Sequence, residues 1–283
     1  MKRRPTLGDL LWRQIRYQNT IFWRTPASAF FTLVFPLLFL IVFTLVFGNE
    51  DIAELGVTTA QFYAPSLAAF GAVSATYTNL AITTAFSRDE GILKRVRGTP
   101  LPPWVYIAGR IGSATYLAAV SVTIMLGIGV AVYGVRVFGV ALPAVVVTFL
   151  VGVGCFAALG MLVAAVAPSG DATPAIANAT LLPLSFVSDV FIPPSANAPS
   201  WLSVVADVFP LKHFAVAFQD AFNPAVVAQR GSWIGQFQAD HLAVMAAWGV
   251  AAMVLAIRFF RWEPKTGRAV SRRSRAAAPD QTP

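Results

Sequence analysis

Long runs of apolar residues, broken by short polar and charged stretches, dominate this 283-residue chain. A bilayer core about 30 Å thick requires roughly 20 predominantly apolar residues per helix, and several runs meet that requirement. The charged stretches between them are too short to bury a hydrophobic core of their own. The pattern therefore predicts an all-α integral membrane protein. The six predicted transmembrane helices cover residues 27–47, 62–86, 107–133, 141–167, 172–192 and 241–260.

The segment before the first span has an amphipathic pattern over residues 7–24. At 100° per residue, its aliphatic and several aromatic residues share one arc, while Asp9, the arginines and Thr20 lie opposite. Such a helix is typical of the membrane interface, with the arginines toward lipid phosphates. A disordered basic leader is the alternative, and the apolar arc disfavours it. We assign to this cytoplasmic helix, within residues 1–26, Leu11, Trp12, Arg13, Ile15, Arg16, Phe22, Trp23 and Arg24.

Two further regions flank the last span. Residues 193–240 are too apolar for an ordinary external loop, and their pieces 201–210 and 211–218 are too short to span comfortably. They predict helices that enter the membrane from outside and return, or that lie flat on its surface. Residues 261–283 are basic and predict a disordered cytoplasmic tail after the transmembrane domain of residues 27–260.

The distribution of charge predicts the orientation of the chain in the membrane. The composition is 57% hydrophobic and only 12% charged, with a net charge of +8. Every Lys and Arg except Arg136, Lys212 and Arg230 lies before the first span, near the loop after the second, or from the end of the sixth onward. The positive-inside rule therefore predicts that both termini are cytoplasmic, in a multi-pass plasma-membrane protein. Topology and anionic lipid headgroups explain the net charge, so no nucleic-acid partner is expected.

The residues that usually carry chemistry are sparse. Cys155 is the single cysteine, and neither His213 nor His241 has a second ligand at metal-binding spacing in the sequence. No P-loop, G-x-S-x-G or H-E-x-x-H motif occurs. We therefore expect no catalytic residue, metal site or cofactor in this chain, which argues against a membrane-bound enzyme.

Polar residues recur within the second and fifth predicted spans. Hydroxyls and amides at helical spacing can hydrogen-bond a neighbouring helix or line a wet path, and the sequence leaves both interpretations open. Asp189, near the end of the fifth span, is ionisable, and its place before Pro193 predicts a position close to the outer membrane interface. The candidate pathway residues are Ser74, Thr76, Thr78, Asn79, Asn178 and Asp189.

A dense charged turn separates the second and third spans. Residues 88–97 hold six ionisable side chains between two long apolar runs. Charge alone favours two interpretations equally: a solvated cytoplasmic loop, or a surface on which a soluble protein docks.

The order of residues in this turn resembles the coupling element of type 2 ABC exporter permeases, including the daunorubicin-resistance permeases. In that family an acidic residue precedes Gly-Thr-Leu, basic residues and Thr-Pro, and here Ile92 replaces the usual Thr. Residues 181–193 resemble a second family pattern, with Asp189 where Gly is usual, and residues 209–214 resemble a third. The residues that match the coupling pattern are Glu90, Gly91, Leu93, Lys94, Arg95, Thr99 and Pro100.

The resemblance implies a transport mechanism driven by partner proteins. Two permease subunits, identical or related, would form the pathway for a drug, lipid or glycolipid. Two separate ABC ATPase subunits would bind ATP and magnesium and push on a short helix in the charged turn. The amphipathic segment would be a connecting helix, and the re-entrant helices would narrow the outer exit. The residues expected at the ATPase are Arg88, Asp89, Glu90, Gly91, Leu93, Lys94, Arg95, Arg97, Thr99 and Pro100.

A self-sufficient ion-coupled transporter is the alternative. Such a protein needs buried ionisable residues for coupling to protons or cations. The predicted spans contain almost none, and no convincing inverted repeat is visible.

Overall fold

The computed structural model describes residues 6–52, 55–194, 199–260 and 262–263. These residues are mostly helical, which agrees with the predicted all-α class. The strands among them form a short hairpin, in which β1 (Asp51–Ile52) pairs antiparallel with β2 (Val57–Thr58). The predicted tail lies outside the described residues apart from residues 262–263, and so do residues 1–5 of the N-terminal segment.

Eleven helices follow one another through the described residues. A 3₁₀ turn, Gly139–Ala141, precedes α6, and α3 is one continuous helix of residues 59–89. The helices are α1 (Leu7–Trp23), α2 (Pro26–Phe47), α3 (residues 59–89), α4 (Ile92–Arg97), α5 (Pro103–Tyr133), α6 (Leu142–Val166), α7 (Thr173–Val187), α8 (Ser200–Val208), α9 (Pro210–Phe222), α10 (Pro224–Arg230) and α11 (Ala239–Phe259).

Four stretches of helix are long and apolar enough to cross a membrane: α2, α5, α6 with its preceding 3₁₀ turn, and α11. They correspond to the first, third, fourth and sixth predicted spans. Helices α8 and α9 meet at a bend of 93° and would add a fifth crossing if the pair is one broken span. This bent pair occupies the segment for which re-entrant helices were predicted.

The second and fifth predicted spans differ from this simple pattern. Helix α3 is long enough, but its hydroxyl-bearing residues and Asn79 dilute its apolar character. Helix α7 has 15 residues and ends at Val187, before the predicted end of the span at Ile192. The chain turns there because Asp189 adopts a left-handed conformation with φ of 57°. The count of six spans therefore stays a prediction.

Helix α3 is the centre of the bundle. Every residue of its first segment, Thr59–Val73, is buried, and α2, α5, α6 and α9 pack around it. The approach of α6 is close at Gly160, where an added Cβ would lie 2.7 Å from the carbonyl oxygen of Tyr77. A glycine is required at this crossing because any side chain would push the two backbones apart.

Two π-helical turns interrupt α2 and α3, at Phe30–Val34 and Ser74–Thr78. The first ends two residues before Pro36, which has no N–H to donate to the carbonyl of Thr32. The hydroxyl of Ser121 on α5 donates to that carbonyl at 3.5 Å instead. Such turns widen a helix locally and are frequent at functional sites.

Candidate functional site

A cavity of about 400 Å³ lies beside the two π-helical turns. It brings together four of the six candidate pathway residues: Ser74, Thr78 and Asn79 from α3, and Asn178 from α7. The surrounding wall is mostly apolar. The other lining residues are Ala27, Ser28, Phe31, Thr32, Phe35, Phe70, Ile82, Thr83, Pro174, Leu181 and Leu182.

A buried hydroxyl in the lining of this cavity has no internal partner. The hydroxyl of Thr78 is buried and makes no hydrogen bond to any residue that the structure describes. A buried hydroxyl without a partner is costly, so a hydrogen bond to a bound molecule or to water would be favourable there. The arrangement of an apolar wall with a few convergent polar groups is typical of sites for small hydrophobic or amphipathic ligands.

The other two candidate pathway residues lie elsewhere. Thr76 is fully buried against α6, and its hydroxyl donates to the carbonyl of Ala72 at 2.7 Å. Asp189 lies in the turn after α7, where its carbonyl accepts from Gln219 at 2.7 Å and its carboxylate is 3.9 Å from the Lys212 ammonium. Partial burial raises the pKa of Asp189, and the charge of Lys212 opposes that shift. Both residues thus have packing or turn-forming contacts.

The charged turn begins where α3 ends. Glu90 caps α3, and Gly91 then adopts a left-handed conformation with φ of 70°, which lets α4 start in a new direction. A residue with a Cβ would be strained at that φ, so glycine is the favoured residue at this position. The short helix expected in the coupling element is therefore present at Ile92–Arg97.

Two of the predicted coupling residues fix the base of the turn inside the protein. Arg88 is 1% exposed; it donates to the carbonyls of Ala164 at 2.7 Å and Ala167 at 3.2 Å, and to the Asp89 carboxylate at 2.8 Å. Asp89 in turn accepts from the backbone N–H of Gly170 at 2.6 Å. Because Arg88 is enclosed by the chain itself, its contacts in this structure are internal, which differs from the surface position predicted.

Most of the remaining coupling residues form the outer face of the turn, and Leu93 is an exception. Leu93 is 1% exposed and anchors α4 on the bundle. Arg95 donates to the Glu90 carbonyl at 3.2 Å, and Thr99 donates to the Val96 carbonyl at 2.7 Å. The exposed residues of the turn include Glu90, Lys94, Arg95, Arg97, Thr99 and Pro100.

Helix α1 lies along α5. Thr6 and Asp9 form a capping box at its start, and the hydrogen bonds that Asp9 accepts from the backbone and side chain of Thr6 lower the pKa of its carboxyl. The packed face includes Phe22, which is buried, and Ile15, which lies against Gly112 of α5. Leu11 and Ile15 have intermediate exposure, and the exposed residues include Trp12, Arg13, Arg16, Trp23 and Arg24.

Several polar contacts could not be foreseen from sequence spacing. The Nδ1 atoms of His213 and His241 are 2.7 Å apart, although 28 positions separate these residues. The Tyr77 and Thr180 hydroxyls hydrogen-bond at 2.6 Å and join α3 to α7. Each of these contacts depends on the packing of distant helices. Within the described residues, no group of three or more His, Cys, Asp or Glu could hold a metal ion.

Comparisons with known proteins agree with this architecture. The family profile described as "ABC-2 type transporter" matches residues 9–223. The daunorubicin resistance ABC transporter permease protein DrrB1 of Streptomyces coeruleorubidus is 29% identical over 223 residues, which cover 75% of this chain and 73% of that protein. Members of this family are membrane subunits of transporters and are not themselves catalytic. Membership implies an ABC ATPase partner and typically a dimer. The chain therefore belongs to the ABC-2 type transporter family.

Proposed function

We propose that this chain is the permease subunit of an ATP-driven exporter for a hydrophobic or amphipathic substrate: a drug, a lipid or a glycolipid. The observation that carries the proposal is that a single helix, α3, both lines the apolar cavity and ends in the charged turn. A push on Glu90 is thereby transmitted along α3 to Ser74 and Thr78. The name of the relative, a daunorubicin resistance permease, supports a drug-like substrate.

The proposed topology has six spans, with α3 and α7 as the second and fifth. In this proposal the protein lies in the plasma membrane with both termini in the cytoplasm. The bent pair α8 and α9 lies at the outer side of the membrane. The concentration of Lys and Arg near the charged turn and at both ends of the chain supports this orientation. In this arrangement α1 rests in the inner interface with Trp12 and Trp23 among the headgroups.

The proposed partners are a second permease subunit and two ATPase subunits. ATP and magnesium bind to the ATPases, and this chain supplies the contact surface. Glu90, Lys94, Arg95 and Arg97 are exposed on one short element and support charge-assisted contacts with a soluble partner. In this proposal Arg88 serves coupling indirectly, because its bonds to α6 keep the turn from moving independently of the bundle.

The ion-coupled alternative receives little support from the buried charges. Among the described residues, the fully buried charged side chains are Arg88 and Arg110. Arginine stays protonated in proteins, so neither residue can accept and release a proton during a transport cycle.

The test is export by the permease reconstituted in liposomes with its ATPase partner. Replacement of Glu90 by Lys should reduce ATP-dependent export and substrate-stimulated ATP hydrolysis by at least about tenfold, because it inverts the charge that the partner meets. The matched control is Glu50→Lys, since Glu50 is also exposed but lies between α2 and β1, far along the chain from the turn. Normal export by Glu90→Lys would refute the coupling role, and equal loss in Glu50→Lys would show a general effect of charge.

A further inference from the structure

A second cavity, of about 550 Å³, lies between α1, α3 and α5 at the end of the molecule that carries the charged turn. Side chains of Gln14, Ser87 and Arg110 line its polar part, while Leu80, Phe86 and Leu117 contribute to its apolar wall. The cavity adjoins the one beside the π-helical turns. The residues that line both are Ser28, Asn79, Ile82 and Thr83.

Arg110 gives this cavity an uncompensated positive charge. The residue is only 5% exposed, and its Nη1 donates to the Tyr106 hydroxyl at 2.7 Å and to the Ser87 hydroxyl at 3.0 Å. The guanidinium carbon also lies 5.5 Å from the centre of the Tyr106 ring. No carboxylate in the described part of the chain forms an ion pair with it. A buried charge that has only neutral partners is unfavourable until an anion approaches it.

A second donor lines the same cavity. The side-chain Nε2 of Gln14 is buried and has no hydrogen-bond partner among the described residues. The Gln14 side chain packs against Gly109 of α5. A side chain at position 109 would collide with Gln14, so the close packing constrains the position of the amide. Glu90 is the acidic side chain among the described lining residues, and it is exposed at the rim. The interior of the cavity therefore offers N–H donors to an acceptor that carries negative charge.

We propose that this cavity binds the phosphate group of an anionic lipid. The Arg110 guanidinium matches the geometry of phosphate oxygens, and Gln14 supplies a further N–H. An acyl chain of the same lipid would follow the shared residue Ile82 toward the apolar cavity beside the π-helical turns. The bound phosphate would hold α1 against α5, because Gln14 lies on α1 and Arg110 lies on α5. The proposal concerns lipid binding and does not depend on which substrate is exported.

The test is lipid binding to the purified full-length permease in a mild detergent, measured by native mass spectrometry and by titration. The probe is dioctanoyl phosphatidic acid, with dioctanoylglycerol and inorganic phosphate as comparisons. Arg110→Gln should weaken binding of the phosphatidic acid by about tenfold or more, because a charged hydrogen-bond donor is lost. Gln14→Leu should weaken it by a smaller factor. Arg136→Gln is the matched control, since Arg136 is exposed and lies outside both cavities.

The possible outcomes separate the proposal from its competitors. Equal affinity of the wild-type protein and Arg110→Gln would overturn it, as would equally tight binding of dioctanoylglycerol. If inorganic phosphate displaces the lipid at equal concentration, the cavity is a free-anion site and the lipid assignment is wrong. Should Arg110→Gln not purify in a folded state, Gln14→Leu decides the question, because it keeps the arginine in place.

Discussion

Arg88 and Arg110 are both buried near the charged end of the bundle, and the chain surrounds them differently. Arg88 donates to two backbone carbonyls and to the carboxylate of Asp89. Arg110 has two neutral hydroxyls and the face of a tyrosine ring. The first set of contacts satisfies the charge internally and joins α3 to α6. The second leaves a charge that a ligand can neutralise. Similar burial thus accompanies internal ion pairing in Arg88 and a proposed binding role in Arg110.

Arg88→Leu should have the largest effect on stability. It would leave the partly buried carboxylate of Asp89 without its cation and would remove the bonds that Arg88 donates to the carbonyls of Ala164 and Ala167, which costs about 3–5 kcal/mol. Thermal unfolding of the purified permease in detergent would measure the loss. Stability equal to that of the wild type would mean that the Arg88 contacts are not what holds the turn on α6.

Asp89→Asn should have an intermediate effect. The amide keeps one acceptor for the N–H of Gly170 but loses the charge-assisted bond from Arg88, so a loss of about 1.5 kcal/mol is expected. The same unfolding assay applies. A loss as large as that of Arg88→Leu would place most of the stabilisation in the Asp89 carboxylate and not in the bonds of Arg88 to the two carbonyls.

Arg110→Met should change stability least, by no more than about 1 kcal/mol in lipid-free detergent. Removal of an uncompensated buried charge offsets the loss of its two hydrogen bonds, and the hydroxyls that it leaves line a cavity open to water. Unfolding measured with and without added phosphatidic acid sharpens the comparison, since the lipid should stabilise the wild type and not the variant. A loss comparable to that of Arg88→Leu would make Arg110 a structural residue as well.

The sequence predicted the parts of the fold that local pattern determines. The amphipathic pattern predicted α1, long apolar runs predicted the four helices that are long enough to cross a membrane, and the resemblance implied the short helix α4 in the charged turn. The end of α7 was missed because the left-handed turn at Asp189 has no glycine to signal it. The bend between α8 and α9 was anticipated only as a pair of short apolar pieces.

The candidate site was predictable in part. Polar spacing selected Ser74, Thr78, Asn79 and Asn178, which do line one cavity. It could not separate them from Thr76, because the side of α3 that faces α6 is decided by the glycine contact at Gly160. Arg110 was not among the candidate site residues predicted from the sequence. Its lack of an anionic partner is a fact of three-dimensional packing, and its place in the sequence resembled an ordinary positive-inside residue.

The central claim, that α3 links the charged turn to the apolar cavity, is tested most directly by thiol labelling at position 78. Thr78→Cys in a Cys155→Ala background would be labelled in liposomes that contain the ATPase partner, with and without Mg-ATP. The account predicts that Mg-ATP changes the labelling rate severalfold and that Glu90→Lys abolishes this change while the rate without nucleotide stays the same. An ATP-dependent change that persists in Glu90→Lys, or no change in the protein with Glu90 intact, would contradict the account.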